Sequence, residues 1–240
     1  GIRGAKPEES GGSKGVVPIC LQARMGSRRL PWKMLADLAG RPLIGHCVAR
    51  LTRSGIGPVI LATSTLPADD ALVDVARALG IRVFRGPEDD VLQRFGLVAD
   101  YLDARFFIRA TGDNPAVDID GPARVMAAIE SKSADHAVET GLPFGAAVEA
   151  VRTAALYQAV AQARDAYDRE HVTPYLYLNP GRFLAVTVPA PEALRRPDMR
   201  LTVDTQDDLD FMRMVLARAA PAGDVAPLSA IIEAADEVGR

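Results

Sequence analysis

The stretch LQARMGSRRLPWKMLADLAGRP, residues 21–42, decides how the rest of the chain is interpreted. An apolar run from Val16 to Leu21, interrupted only by Pro18, precedes it and predicts a buried first strand. Glycine lets a backbone approach a ligand, arginine binds phosphate oxygens in pairs, and lysine adds a compact positive charge. These residue types in one loop after a strand favour an anion-binding site sized for a polyphosphate. Its members are Arg24, Gly26, Ser27, Arg28, Arg29 and Lys33.

Two features restrict the interpretation of this loop. It is not a Walker A motif, because the pattern Gly-x-x-x-x-Gly-Lys-Ser/Thr is absent. Pro31 limits how far the loop can flex. A basic surface loop without a ligand is the alternative interpretation of the same charge cluster.

The composition is that of a soluble globular protein. The 240 residues suit one medium-sized domain, and 48% hydrophobic with 25% charged residues is ordinary for this class. The net charge of −3 gives no global basic field, so no nucleic-acid partner is expected. No apolar run reaches the length of a membrane span, so no membrane partner is expected either. Cys20 and Cys47 lack metal-ligand spacing and are expected to be buried in a reducing compartment, with the cytoplasm as the expected location.

The first 15 residues differ in composition from the rest. They are rich in Gly, Ser, Lys and Glu and hold little that could be buried. We expect a disordered tail there, either a cloning remnant or a cut from a longer chain. Residues 16–240 are expected to form a single domain, because no internal repeat and no long linker is found in them.

Strand and helix patterns alternate along the first half of the domain. Buried strands are predicted at Pro58–Thr63, Ile81–Phe84 and Ala104–Ala110. Helices are predicted at Leu43–Leu51, Ala68–Leu79 and Asp89–Leu102. Such alternation predicts an α/β fold, a mostly parallel central sheet flanked by helices on both faces. Ligands of such sheets bind beyond the carboxyl ends of the strands.

The second half is less regular. Asp118 is expected to cap the next helix, and Phe183–Val188 is expected to be an edge strand. Further strands are predicted at Ala134–Glu139, at Ala146–Arg152 and at Leu201–Thr205, the last ending in a carboxylate. Further helices are predicted from Thr153, around Arg169–Tyr175, from Asp207 and at Pro227–Val238.

Polar residues follow the predicted strands. Thr63-Ser64-Thr65 could contact a base or a ribose, or cap the helix ahead. Asp89 or Asp90 could be a helix N-terminal acid. Asp113, within Thr111-Gly112-Asp113-Asn114-Pro115, sits where a phosphate-bound Mg²⁺ would lie, although such an aspartate is commonly a turn former.

Several motifs carry a family resemblance. Gln22-Ala23-Arg24-Met25-Gly26-Ser27, then Arg29-Leu30-Pro31 and Lys33, resembles the opening loop of the cytidylyltransferases that activate sugar acids. The closest branch is named for a spore-coat polysaccharide biosynthesis protein. That branch usually has a small residue at Arg28 and glycine at Trp32. The match runs from about Val16 to about Leu216 through Arg85-Gly86 with Glu88-Asp89-Asp90, Thr111-Gly112-Asp113-Asn114-Pro115, Arg169-Glu170-His171-Val172-Thr173-Pro174-Tyr175 and Leu201-Thr-Val-Asp204-Thr205.

The resemblance implies a nucleotide-diphospho-sugar-transferase-like fold and CTP as the donor. It also implies a homodimer in which the section around Glu139 to Tyr177 completes the partner's site. The residues implied to act in catalysis are Arg24, Lys33, Asp113 and Asp204, with Mg²⁺ held by Asp113 and Asp204. Those implied to bind the nucleotide are Ala23, Arg24, Gly26, Ser27, Arg29, Lys33, Thr63, Ser64, Arg85, Asp89, Arg109, Thr111, Gly112 and Asp113. Those implied to bind the acceptor are Asn114, Glu149, Arg169 and His171, although a structural histidine is the alternative for His171.

One departure from the family pattern concerns the acceptor. Relatives usually carry Gly-x-Asp-x-Glu where this chain reads Gly145-Ala146-Ala147-Val148-Glu149. Residues two apart on a strand share a face, so Ala147 and Glu149 are expected to line the same pocket. We therefore expect a small acceptor with more negative charge than a sugar acid, such as a phosphate or phosphonate. The competing interpretation is that this substitution has abolished catalysis.

Two rival functions use the same fold. A glycosyltransferase would use Asp118-Ile119-Asp120 as an Asp-x-Asp metal motif. Against it, these carboxylates follow Pro115, where a helix cap explains them, and the basic loop would be superfluous. A non-catalytic nucleotide-binding homologue would keep the fold without turnover. The acceptor of a cytidylyltransferase would be a sugar acid, a sugar phosphate or a phosphonate.

Overall fold

The computed structural model describes residues 16–239 and forms a three-layer α/β arrangement. The expected tail over residues 1–15 lies outside the described residues. The strands are β1 Ile19–Gln22, β2 Asp37–Leu38, β3 Arg41–Pro42, β4 Val59–Ser64, β5 Arg82–Gly86, β6 Phe106–Thr111, β7 His136–Thr140, β8 Glu149–Arg152 and β9 Ala185–Pro189. The helices are α1 Leu43–Arg53, α2 Asp70–Ala78, α3 Val91–Leu102, α4 Gly121–Ser131, α5 Thr153–Gln162, α6 Ala166–His171, α7 Pro174–Tyr177, α8 Gln206–Ala219 and α9 Leu228–Val238. Short 3₁₀ turns occur at Lys33–Leu35, Pro67–Asp69 and Glu192–Leu194.

The main sheet has seven strands in the order β5-β4-β1-β6-β8-β7-β9. Strand β1 pairs in parallel with β4 and β6, and β4 pairs in parallel with β5. Strand β8 is antiparallel to both of its neighbours, whereas β7 and β9 are parallel to each other. The mostly parallel sheet predicted from the alternating pattern is therefore confirmed, and β9 is an edge strand as expected.

Hydrophobic residues cover both faces of this sheet. Along β1, Ile19 and Leu21 belong to the core shared with α1, α4, α8 and α9. Cys20 between them belongs to the core shared with α3 and α5, because alternate strand residues point to opposite faces. Both cysteines are buried as predicted, and burial raises the pKa of Cys20 to about 12. No helix among residues 16–239 is both long enough and apolar enough to cross a membrane.

Several predicted boundaries were wrong for identifiable reasons. Strand β1 begins at Ile19 rather than Val16, because Pro18 has no N–H group for the sheet. The predicted strand Leu201–Thr205 does not form. Its N–H groups are divided between two loops: Leu201 donates to the carbonyl of Phe144 and Val203 to that of Asp113.

Two helix predictions also need correction. Asp120, not Asp118, occupies the N-cap position of α4, because the Asp118 side chain turns to Arg124 instead. The segment Arg169–Tyr175, expected on a helix or at its start, is divided between two short helices. Helix α6 ends at His171, Val172 adopts a left-handed backbone with φ of 73°, and α7 begins at Pro174.

Candidate functional site

A cleft lies at the carboxyl ends of β1 and β6, where the polar loops were expected to meet. It has two adjoining parts. The first, called here the basic-loop pocket, has a volume of about 300 Å³ and is lined by Ala23, Arg24, Gly26, Ser27 and Lys33. The second, called the aromatic pocket, has a volume of about 630 Å³ and includes Phe144, Tyr167 and Tyr177 in its lining. Both pockets share the wall formed by Arg109, Thr111, Asp113 and His171.

The basic loop is folded so that its arginines face outward. Met25 and Leu30 are buried and anchor it, whereas Arg24 and Arg29 remain 42% and 68% exposed at their side chains. Ser27 closes a turn by accepting a hydrogen bond from the Leu30 N–H group at 3.3 Å. Each arginine makes one long ion pair, Arg24 with Glu88 at 3.5 Å and Arg29 with Asp204 at 3.6 Å.

Asp69 fixes this loop from behind. Its carboxylate is buried and accepts a hydrogen bond from the Met25 N–H group at 2.7 Å. The other carboxylate oxygen accepts from the N–H group and the hydroxyl of Ser64 at the end of β4. The sequence did not single out Asp69, because an aspartate just before a helix is ordinarily explained as a helix N-terminal acid.

Trp32 occupies an unusual backbone conformation immediately before Lys33. Its φ of 62° is left-handed, a region that disfavours large side chains, and its side chain is 62% exposed. Glycine adopts this conformation without strain. The resemblance places glycine at this position, and the left-handed turn explains why. The turn directs the Lys33 side chain inward, where it is buried.

Lys33 connects the basic loop to two carboxylates. Its Nζ donates hydrogen bonds to the Val203 carbonyl at 2.9 Å and to Asp204 Oδ1 at 3.2 Å. Asp113 Oδ2 lies 4.0 Å from the same nitrogen. Arg200 adds a second cation, with its Nη2 2.5 Å from Asp204 Oδ2. The structure thus brings Lys33, Asp113 and Asp204 together as predicted, and adds Arg200, which the sequence did not indicate.

The backbone explains why the two aspartates meet. The carbonyl of Asp113 accepts from the Val203 N–H group at 2.9 Å and from the Thr202 hydroxyl at 3.2 Å. Gly112 is required at this turn, because a Cβ there would lie 2.7 Å from that of Ala23. The segment before α8 therefore lies against the turn after β6.

The donor set at this point suits a magnesium ion. The residues that the structure describes contain no cluster of three or more His, Cys, Asp or Glu side chains able to hold a metal. Mg²⁺ needs no such cluster, because it takes one or two carboxylates and completes its shell with phosphate oxygens and waters. Asp113 and Asp204, close to one basic loop, fit that requirement.

A second ionic network lies below the aromatic pocket. Glu149 Oε2 is 2.6 Å from Arg109 Nη1, and its Oε1 accepts hydrogen bonds from Thr173 and His136, each at 2.8 Å. Burial alone would raise the pKa of Glu149, but Arg109 and His136 outweigh it and lower that pKa to about 2. Arg109 also donates to Gln22 at 3.0 Å, which ties β6 to β1. Glu149 is therefore ionised and its charge is compensated.

The remaining wall of the aromatic pocket combines small, polar and aromatic groups. Ala147 and Glu149 both line it, which confirms that they share a face. Asn114 donates to the Thr111 hydroxyl at 2.8 Å, so both are held on the wall. The His171 ring lies 4.3 Å from that of Tyr167, and His171 is exposed to the cleft.

Six predicted ligand-binding residues line neither pocket. Arg29 is one of them, although its Nη2 lies 3.6 Å from Asp204 Oδ1 at the edge of the cleft. Thr63 and Ser64 are fully buried, and Asp89 is exposed; none of them lines either pocket. Arg85 is bound to Asp70 and to the carbonyls of Ser64 and Leu66. Arg169 pairs with Asp90, the true N-cap of α3, at 2.5 Å.

The Asp-x-Asp sequence also lies outside the cleft. Asp118 is buried and paired with Arg124, which in turn binds Glu139 at 2.6 Å. Asp120 is exposed at the start of α4. Neither aspartate lines either pocket, so the geometry does not support the glycosyltransferase interpretation of these carboxylates.

Comparison with known proteins gives consistent results. A family described as cytidylyltransferase matches residues 19–226. The spore coat polysaccharide biosynthesis protein SpsF of Bacillus subtilis (strain 168) is 34% identical over 215 residues, covering 87% of this chain and 90% of that protein. The solved structure of a cytidylyltransferase from Leptospira borgpetersenii has a TM-score of 0.85 at 25% identity, covering 92% of this chain and 94% of that one.

A second solved structure shares the fold. It is that of CMP:2-keto-3-deoxy-manno-octonic acid synthetase complexed with CTP, with a TM-score of 0.64 at 18% identity. The match covers 84% of this chain and 98% of that one. The mostly parallel sheet flanked by helices in this chain therefore belongs to the fold that these two solved structures share.

Proposed function

The chain belongs to the cytidylyltransferase family, and on this premise we propose that it transfers CMP from CTP to a small anionic acceptor with release of pyrophosphate. The acceptor class is a sugar acid, a sugar phosphate or a phosphonate. One observation carries the proposal: a basic-loop pocket and a larger pocket share the wall that holds Asp113. A donor and an acceptor bound in the two pockets would meet at that wall.

The reaction requires positioning and positive charge. An acceptor oxygen forms a bond to the α-phosphorus of CTP while the bond from that phosphorus to the pyrophosphate oxygen breaks. Negative charge grows on the departing pyrophosphate, so preorganised cations lower the barrier. Arg24, Arg29 and Lys33 supply these cations in the proposed complex. The exposed arginines can reach outward to the phosphates, whereas Lys33 is already held in place by Asp204.

We propose that Asp113 and Asp204 hold Mg²⁺ when the nucleotide binds. The ion would supply positive charge to the phosphate oxygens. The contribution of the chain is to keep both carboxylates on one wall, through the hydrogen bonds from Val203 and Thr202 to the Asp113 carbonyl. Arg200 beside Asp204 limits the excess negative charge before the metal arrives.

The charge of the aromatic pocket supports an anionic acceptor. Glu149 is compensated by Arg109 and His136, and Glu139 shares Arg124 with Asp118. Ala147 adds no carboxylate to this surface. An anionic acceptor would therefore meet less repulsion here than in a pocket with a further free carboxylate. The exposed rings of Phe144 and Tyr177 offer apolar surface to the body of the acceptor.

A non-catalytic nucleotide-binding protein is the rival function. Mixing the purified protein with CTP and, separately, with UDP-sugars tests nucleotide choice, because a ligand that binds the native state raises the melting temperature. We expect CTP with Mg²⁺ to raise the melting temperature and UDP-sugars to leave it unchanged. Pyrophosphate release and CMP adducts are then measured across a panel of sugar acids, sugar phosphates and phosphonates. UMP or AMP adducts without a CMP adduct would contradict the assignment, and a CTP shift without pyrophosphate from any acceptor would favour the rival.

We further propose that the chain acts as a homodimer. The section around Glu139 to Tyr177 carries large exposed apolar side chains, including Phe144, Tyr167 and Tyr177. Such exposure is common at protein interfaces. Light scattering of the purified chain should give twice the monomer mass. A monomer with full activity would exclude a partner's contribution to the site.

A further inference from the structure

A small cavity outside the cleft gathers three basic side chains. It has a volume of about 80 Å³ and lies between α1, the β2–β3 hairpin and the segment before α9. Its lining includes Arg41 from the hairpin and His46 and Arg50 from α1. None of these three residues enters the chemistry proposed above.

Arg50 is the central residue of this cavity. It is only 2% exposed, and it donates through Nε to the Val117 carbonyl and through Nη1 to the Ala226 carbonyl, each at 2.6 Å. Its Nη2 is buried and has no hydrogen-bond partner within residues 16–239. Both of its hydrogen-bond partners are neutral carbonyls, and the one carboxylate whose charge acts on it, that of Asp118, is itself paired with Arg124. A buried guanidinium normally has a carboxylate or another anion beside it, because an uncompensated buried charge is costly.

Arg41 and His46 lack a carboxylate partner too. Arg41 Nη2 donates to the Gly223 carbonyl at 3.3 Å, and His46 Nε2 donates to the Leu38 carbonyl at 2.7 Å. In the part of the chain that the structure describes, neither they nor Arg50 comes within 4.0 Å of a carboxylate oxygen. Asp224 is the carboxylate in the lining, and it is exposed at the edge of the cavity. The cavity therefore has a surplus of positive charge.

We propose that this cavity binds a tetrahedral oxyanion of the size of inorganic phosphate. A volume of about 80 Å³ holds two or three waters, at about 30 Å³ each, or one such anion. It is too small for a nucleotide, since pockets for ligands of that size begin at about 300 Å³. Bound there, the anion lies beside the Arg41 and His46 side chains and compensates the charge of the buried Arg50.

The cavity is physically connected to the turn that carries Asp113. From α1, the Cys47 thiol donates to the Gly112 carbonyl at 3.3 Å, and Arg50 donates to the Val117 carbonyl. These two contacts bracket Asp113 in the sequence. Compensating the charge of Arg50 favours the folded arrangement of this segment, so the anion should raise the melting temperature.

Histidine resonances provide a direct test, because the chain contains only three histidines. Inorganic phosphate is titrated into the isotope-labelled protein at constant ionic strength, with chloride as the reference anion, and His46 is identified by His46→Gln. We expect a saturable shift of the His46 ring with phosphate. His171 and His136 both lie at the cleft and report phosphate bound there, so a response of His46 alone identifies the separate cavity. The shift of His171 should weaken in Lys33→Ala, whereas that of His46 should persist.

The pKa of His46 gives a second readout. Burial lowers this pKa, and the charges of Arg41 and Arg50 lower it further. The hydrogen bond to the Leu38 carbonyl and the charge of Asp37 act in the opposite direction and raise it. Asp224, at the rim, also faces the cavity. A bound phosphate adds negative charge beside the ring, so phosphate should raise the pKa of His46 and bind more tightly as pH falls through it.

Substitutions of the basic residues in and near the cavity test whether it binds phosphate. Arg41→Gln should weaken the His46 response at least about tenfold, which corresponds to about 1.4 kcal/mol. Arg53→Gln removes an equal charge from the exposed end of α1 and should leave the response unchanged. Arg50→Met should abolish it; should that variant fail to fold, the comparison of Arg41→Gln with Arg53→Gln still decides. A His46 ring that moves equally with chloride, never saturates, or responds alike in both glutamine variants overturns the proposal.

Discussion

The carboxylate of Asp69 holds the backbone N–H group of Met25 at 2.7 Å, across 44 residues of sequence. The same side chain binds the end of β4 through Ser64. A residue outside the cleft thus fixes the position of the loop that carries Arg24 and Arg29. The buried Asp69 carboxylate therefore joins the basic loop to the end of β4.

Asp69→Asn should impair CTP binding and stability together. The amide cannot accept hydrogen bonds at both of its ends, so a buried N–H group loses its partner at a cost of about 1–3 kcal/mol. We expect a higher KM for CTP and a lower free energy of unfolding. Asp70→Asn is the matched control, because Asp70 is exposed and pairs with Arg85 at the surface. Equal effects of the two substitutions on KM would exclude a positioning role for Asp69.

Lys33→Ala should weaken the binding of CTP far more than the binding of CMP, because only CTP carries the β and γ phosphates. Calorimetric titration of both nucleotides measures the difference. Lys132→Ala, at an exposed position at the end of α4, controls for the loss of one lysine. Equal weakening of CTP and CMP would show that Lys33 does not hold the distal phosphates.

Asp113→Asn should lower turnover by at least about a hundredfold, as the loss of a preorganised electrostatic group commonly does. The melting temperature should change little, since the backbone carbonyl of Asp113 keeps its hydrogen bonds from Val203 and Thr202. Asp120→Asn should retain activity, because Asp120 lies outside the cleft. Full activity with a lower melting temperature in Asp113→Asn would identify Asp113 as a turn residue only.

The pKa of Glu149 predicts a loss of stability in acid. Its folded-state value is lowered from an ordinary 4.5 to about 2, so its ion pairs stabilise the fold fully above about pH 4.5. As pH falls from 4.5 toward 2, Glu149 becomes protonated in the unfolded chain and stays ionised in the folded chain, so the folded state loses stability. Urea unfolding between pH 6 and pH 3 should therefore show a decline that is smaller in Glu149→Gln. If the free energy of unfolding declined equally with pH in both proteins, the ion pairs of Glu149 would not stabilise the fold as proposed.

Ala147→Asp tests the charge of the acceptor. A new carboxylate on the wall of the aromatic pocket should raise the KM of a phosphate or phosphonate acceptor, with an effect of a few kcal/mol at most. Unchanged KM and turnover would refute the charge argument. Activity gained by a previously inactive protein would show that the substitution at Ala147 had abolished catalysis.

The elements predicted best were those with strong local signals. Apolar runs located β4 and β6, and helical spacing located α1 at nearly its full length. The basic loop and Asp113 were recognisable because glycine and charge follow a strand directly. Their role in binding stays a prediction, although the structure places them on one cleft.

What the sequence could not supply depends on long-range contacts. Nothing in the spacing of Glu149–Arg152 places β8 antiparallel between β6 and β7. Arg85 and Arg169 follow strands or lie in motifs, yet local carboxylates and carbonyls occupy their guanidinium groups. Arg200 was overlooked because its partner Asp204 was interpreted only as a metal ligand.

The hydrogen bonds from Lys33 to residues 203 and 204 span 170 and 171 positions. During synthesis, a nascent chain therefore displays its basic loop long before the acidic partner has been translated. Contacts of such large sequence separation form late in folding, since loop-closure entropy must be overcome first. The proposed binding of a triphosphate would thus arise together with the completed tertiary structure. The time at which nucleotide binding appears during refolding should therefore report completion of the tertiary structure. It can be compared with the time at which the helical signal appears.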